Sequence, residues 1–128
     1  MDKPHKKLKV WQQGMDLAVA VYRATQVLPI EEKFGLTGQM RRAAVSIVSN
    51  VAEGAARQSD AEFAQFLSNS LGSASELDTQ LELCLRLNFL TAAAHRQLDT
   101  ALIPIDKMLI GLRSSVRRRG RKAGGKVR

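Results

Sequence analysis

His5, His95 and Cys84 are the side chains best suited to acid–base, nucleophilic or metal chemistry, and their spacing organises none of it. A di-iron site in a helical bundle needs Glu-x-x-His pairs from two helices, whereas the residue three before His95 is Ala92. Zinc needs a cluster of Cys and His ligands, which two scattered histidines and one cysteine do not supply. No carboxylate stands at a readable spacing to orient His95 for a hydrolytic triad, and no Gly-rich phosphate loop of the Walker or dinucleotide type occurs. The sequence therefore predicts a non-enzyme with no catalytic residue, metal or cofactor.

The informative constellations are charged. In QMRRAAVSIVSNVAEGAAR, residues 39–57, a count of about 100° per residue from Arg42 gathers Ser46, Ser49, Asn50, Glu53 and Arg57 within roughly −20° to 80°. Met40, Ala44, Ile47, Val51 and Ala55 fall opposite, at about 140° to 220°. Such a stripe can be a binding site, a seam against another helix or subunit, or a wet face. Its small neutral neighbours let another helix pass close by, and Glu53 can pair with Arg57 four residues on. We read it as a seam, with Arg41 at its border the arginine expected to face a phosphate. Arg42 and Arg57 stay candidates for either role.

The net charge of +8 is uneven along the chain. Residues 1–9 hold four Lys and one Asp, residues 117–128 hold seven Lys and Arg, and the body between them is slightly acidic, with nine basic against eleven acidic residues. Clustered cations gain affinity for nucleic acid by releasing the counterions of its phosphates. The expected contacts are Lys6, Lys7 and Lys9 at one end and Arg117, Arg118, Arg119, Arg121 and Lys122 at the other. Trp11, Tyr22 and the four Phe lie mostly on apolar stripes, so backbone recognition is favoured over base stacking. No segment approaches the roughly 18 to 20 apolar residues of a membrane span, and no signal-peptide pattern follows Met1. With its single cysteine, the chain reads as cytoplasmic.

Four amphipathic segments must position these groups. Helices are predicted at about 10–28, 37–57, 59–87 and 91–116, as an antiparallel up-and-down bundle. They are flanked by a basic arm, 1–9, and a disordered basic tail, 117–128. Trp11, Met15, Ala18 and Tyr22 form one line of the first apolar stripe. Thr37 and Thr91 are expected to cap the second and fourth helices, SDAE at 59–62 fits a capping box, and Pro104 should kink the fourth helix. Gly72, mid-helix among serines, suggests the close approach of another element. Leu83 and Leu87 fall toward the polar side, hinting at a second contact surface.

The segments VWQQGMDLAVAVY, FGLTGQMRRAAVSIVSNVAEGAAR, EFAQFLSNSLGSASELDTQLELC and LNFL resemble the four-helix-bundle proteins encoded in intervening sequences of bacterial 23S ribosomal RNA genes. The likeness covers about residues 5 to 113, and RRAAVSIVSNVAEG and GSASEL are its most specific blocks. The resemblance implies a cytoplasmic homopentamer with a basic surface and no catalytic residues. The accessory variability proteins of diversity-generating retroelements are similar in architecture and bind nucleic acid and a reverse transcriptase, which implies such a protein as a possible partner. Arg41, Arg42, Ser46, Asn50, Glu53, Gly54 and Arg57 match the second-helix signature, and Gly72, Ser73 and Glu76 the third. As seam residues we name Arg42, Ser46, Asn50, Glu53, Arg57, Gly72, Glu76, Leu83 and Leu87.

Overall fold

A computed structural model of the chain describes residues 3–127, and all regular structure among them is helical. The helices are α1, Lys9–Ala24; α2, Leu36–Ala55; α3, Asp60–Arg86; and α4, Ala92–Val127. Short 3-10 turns occupy Pro4–Lys7, Thr25–Val27 and Ile30–Glu32. Consecutive helices are antiparallel, as their lateral contacts show. Gly14 of α1 lies against Val48 of α2, and Ser70 of α3 donates to the Ile47 carbonyl at 2.8 Å. Arg113 of α4 reaches Ser68 at 3.2 Å, and Arg119, further along α4, reaches Asp60 at the start of α3. α4 also packs against α1, which closes a four-helix bundle.

One apolar stripe per helix fills the interior, as the spacing of three and four requires. Leu17 and Val21, Met40, Ile47 and Val51, Leu67, Leu77 and Leu81, and Ile105 and Leu109 are almost wholly buried. Each such side chain contributes about 1.5–3 kcal/mol relative to exposure. Two glycines let backbones approach. A Cβ on Gly14 would lie 2.6 Å from Val48 Cγ1, and one on Gly54 would lie 2.8 Å from both Phe63 Cδ1 and Phe66 Cβ.

Local signals set several ends. Ser59 caps α3 by accepting from the Glu62 amide at 3.1 Å, although Glu62 returns to the Ser59 hydroxyl, 3.3 Å, rather than to its amide. Thr91 accepts from the Ala94 amide at 3.1 Å and caps α4. At the end of α3, Asn88 adopts φ 60° while the Phe89 amide bonds the Cys84 carbonyl and the Asn88 amide that of Leu85, a Schellman closure.

The structure corrects four expectations. α1 ends at Ala24 and tightens into a 3-10 turn, with Thr25 Oγ1 donating to the Val21 carbonyl at 2.8 Å. Thr37 is no cap: α2 begins at Leu36 after Gly35, and Thr37 is buried. Met15 and Tyr22, placed on an apolar stripe, are 39% and 43% exposed, because they sit on the outer flank of α1. The segment read as a disordered tail continues α4 to Val127. Its Arg, Lys and Ala are good helix formers, and buried Val116 together with the Arg119–Asp60 contact ties it to α3. α4 is helical through Pro104, whose missing amide leaves the Thr100 carbonyl without its usual donor.

Candidate nucleic-acid interface

Antiparallel packing brings both charged ends of the chain to one end of the bundle. Lys6 and Lys7 stand on the first 3-10 turn and Lys9 opens α1, all exposed. This arm is folded rather than loose: Gln12 Nε2 donates to the Lys6 carbonyl at 2.8 Å, and His5 meets Trp11 edge-on with ring centroids 5.0 Å apart. Arg57, just past α2, stacks its guanidinium 4.7 Å above the Phe66 ring. A stacked guanidinium keeps its N–H edge for other acceptors.

From α4 come exposed Arg117, Arg118, Arg119, Arg121 and Lys122. Arg119 is engaged: its Nη2 and Nε donate to Asp60 Oδ1 and Oδ2 at 2.7 and 3.0 Å. That bidentate hydrogen bond holds the Asp60 carboxyl below its ordinary pKa. Among the described residues, Arg117, Arg118, Arg121 and Lys122 form no ion pair.

The fold sorts charge more sharply than the chain order does. The half of the bundle formed by residues 3–16, 48–68 and 111–123 carries eleven Lys and Arg against four Asp and Glu, whereas 17–47 and 69–110 carry seven of each. Net positive charge is thus confined to one pole.

Arg41 lies away from that pole and is already committed. Its guanidinium sits 4.7 Å over the Tyr22 ring, its Nε donates to Thr25 Oγ1 at 3.0 Å, and its Nη2 to the Tyr22 carbonyl at 3.2 Å. Arg41, the arginine expected to face a phosphate, is thus turned to the end of α1. Arg42 is exposed, because its position points past α3 while that of Arg41 points at the end of α1.

The polar stripe of α2 divides between two uses. Ser46 and Asn50 form a seam within the chain: the Ser46 and Ser73 hydroxyls are 2.7 Å apart, and Asn50 Nδ2 donates to the Ser46 carbonyl and hydroxyl at 2.9 and 3.0 Å. Glu53 is exposed and does not pair with Arg57, which Phe66 holds instead. Arg42 and Glu76 flank an open cleft of about 310 Å³ between α2 and α3, shared with Gln39 and Gln80. Gln80 Oε1 is buried there without a hydrogen-bond partner. Gly72 does not receive a neighbour from this chain, since a Cβ there would meet nothing within 4 Å. Leu83 and Leu87 are 45% and 48% exposed, as their position on α3 predicts.

Sequence reasoning missed Asp60, Tyr22, Phe66 and Gln80. Asp60 acts on an arginine 59 positions later, Tyr22 on Arg41 and Phe66 on Arg57, each across a turn, and the burial of Gln80 Oε1 is set by packing, so no local spacing marks them. Among the described residues no group of His, Cys, Asp and Glu could hold a metal ion, and no helix is long and apolar enough to cross a membrane.

These features define a class: small all-α bundle proteins with a cationic pole. Within that class, the chain belongs to the 23S rRNA-intervening sequence protein family, whose pattern matches residues 6–111. It is similar to the crystal structure of a protein of unknown function from the S23 ribosomal protein family of Bacteroides thetaiotaomicron. The two are 29% identical with a TM-score of 0.75, over 80% of this chain and 96% of that one. No curated protein matches the chain.

Proposed function

We propose that the protein is a non-enzymatic, homo-oligomeric nucleic-acid-binding protein of the cytoplasm that holds RNA or DNA by its backbone phosphates at the basic pole. The observation that carries this reading is the confinement of net positive charge to one end of the bundle, where Lys6, Lys7, Lys9, Arg57, Arg117, Arg118, Arg121 and Lys122 are exposed together. Phosphate contacts release counterions, so affinity should fall linearly on logarithmic axes of affinity and salt. The test measures affinity for RNA and DNA across salt for the full chain and for a chain lacking residues 117–128. Salt-sensitive binding that weakens on truncation supports the reading; no affinity at low salt overturns it.

The oligomer in this reading is a pentameric ring, and the outer α2–α3 face supports it: open Gly72 and exposed Leu83 share one face of α3, about three turns apart, and Arg42 and Glu76 have no ion-pair partner among the described residues. The same face supports a second reading, a scaffold ring that presents a surface to a protein such as a reverse transcriptase, with nucleic acid incidental. Arg42→Ala tells whether the polar stripe of α2 is a seam or a site. A smaller mass in solution with intact nucleic-acid binding assigns Arg42 to the subunit seam, whereas unchanged mass with weaker binding assigns it to the nucleic-acid site.

A further inference from the structure

Residues 112–127 lie beyond the family match at 6–111, yet α4 runs on through them to Val127. We infer that this extension is a rigid cationic rod that binds double-stranded DNA by lying in its major groove, a role that rests on the proposed phosphate binding and narrows it to one nucleic acid.

The first support is the way charge is distributed around the helix. With Arg117 at 0°, Arg121, Arg118 and Lys122 follow at about 40°, 100° and 140°, while Val116 and Gly120 fall at about 260° and 300°. Val116 is 2% exposed, and a Cβ on Gly120 would stand 3.1 Å from Asp60 Cβ, so the second arc is the one laid on α3. Between 117 and 122 every residue of the outward arc is cationic, and the bidentate Arg119–Asp60 contact at its edge fixes the rotation of the helix.

The second support is reach. Gly120 is level with Asp60, the first residue of α3, so the backbone from 120 to 127 runs past the start of α3 by roughly 10 Å at 1.5 Å per residue. A helix of about 10–12 Å diameter fits the roughly 12 Å major groove of B-form DNA, where side chains on a wide arc reach phosphates on both walls. The deep, narrow major groove of A-form RNA does not admit it.

The third support concerns single strands, whose affinity draws on base stacking over open aromatic faces. At this pole Trp11 is packed against His5 and Phe66 is covered by Arg57, while the well-exposed aromatics, Tyr22 and Phe34, belong to the opposite half. The outward arc carries no Asn or Gln to read adenine, and its arginines and lysine suit phosphates and guanine edges.

The test compares Arg118→Pro with Arg118→Ala in the full chain. Both remove one charge, and only proline breaks the helix, at a position past the last buried residue of the core, so circular dichroism should still show a folded bundle. Affinity is read by fluorescence anisotropy at one low salt concentration against a 20-base-pair DNA duplex, the same sequence as duplex RNA, and each single strand. The expected result is about tenfold tighter binding of the unaltered chain to the DNA duplex than to the other three. That preference should survive Arg118→Ala and be lost with Arg118→Pro. Equal loss in the two variants, or equal affinity for all four nucleic acids, overturns the rod while leaving phosphate binding intact. No binding of any of them overturns both.

Discussion

Arg41 and Arg42 are neighbours of one type with opposite employment. About 100° of helix rotation aims the first at the end of α1, where Tyr22 and Thr25 take up its face and its Nε, and leaves the second outside. The sequence shows that the two arginines diverge, but not which one turns inward, because the partners of Arg41 lie 16 and 19 residues earlier across a turn. Arg41→Ala should cost about 1 kcal/mol through the lost stacking and hydrogen bonds, seen as a fall of a few degrees in Tm, with affinity for nucleic acid unchanged. Asp106 offers a test by pH. Burial first, and then the negative charge of Asp78, raise its carboxyl pKa above the ordinary value. The folded state therefore holds this proton more tightly than the unfolded chain, and stability falls as pH rises from the ordinary carboxylate value through the raised one. Asp106→Asn should melt higher than the natural chain at neutral pH, and the difference should vanish in acid below the ordinary carboxylate range.

At the scale of the element, what the sequence reveals is what is local. Ser59 and Thr91 are legible as caps because the amides they accept from lie three residues on, and the apolar stripes of α2 and α4 are legible from their period. The end of α1, the start of α2 and the persistence of α4 past Val116 are decided by other elements, so a local reading misplaces them. Gly54 and Gly72 show the same division. Gly54 admits α3 to the end of α2, and Gly54→Ala should destabilise by about 1–3 kcal/mol, since Phe63 and the backbone-bound Cβ of Phe66 must both give way. Gly72 faces open space within the chain, so in an isolated subunit Gly72→Ala should stabilise by about 0.4–1 kcal/mol by restricting the unfolded chain. Urea unfolding at low protein concentration measures that gain. If mass in solution also falls, a second subunit covers Gly72; a variant that is more stable at unchanged mass counts against a seam there.

For the whole molecule, the decisive step is that antiparallel packing converts two basic segments at opposite ends of the chain into one pole. The bundle was legible from four amphipathic stripes joined by short links, and the charge excess from counting, but their coincidence in space exists only once the up-and-down order is fixed. The pole also ranks its cations, which a tally cannot do. Arg118 and Arg121 have no ion-pair partner among the described residues, whereas Arg119 is held by Asp60 and must break a bidentate pair before it can meet a phosphate. Each phosphate contact contributes close to 0.9 to the slope of log affinity against log salt on duplex DNA. Arg118→Ala and Arg121→Ala should therefore each lower that slope by about this amount, and Arg119→Ala by much less. Asp60→Asn should raise it, because the released Arg119 then becomes a contact. Equal effects from all three arginines would mean that the Asp60 pair does not persist when nucleic acid is bound.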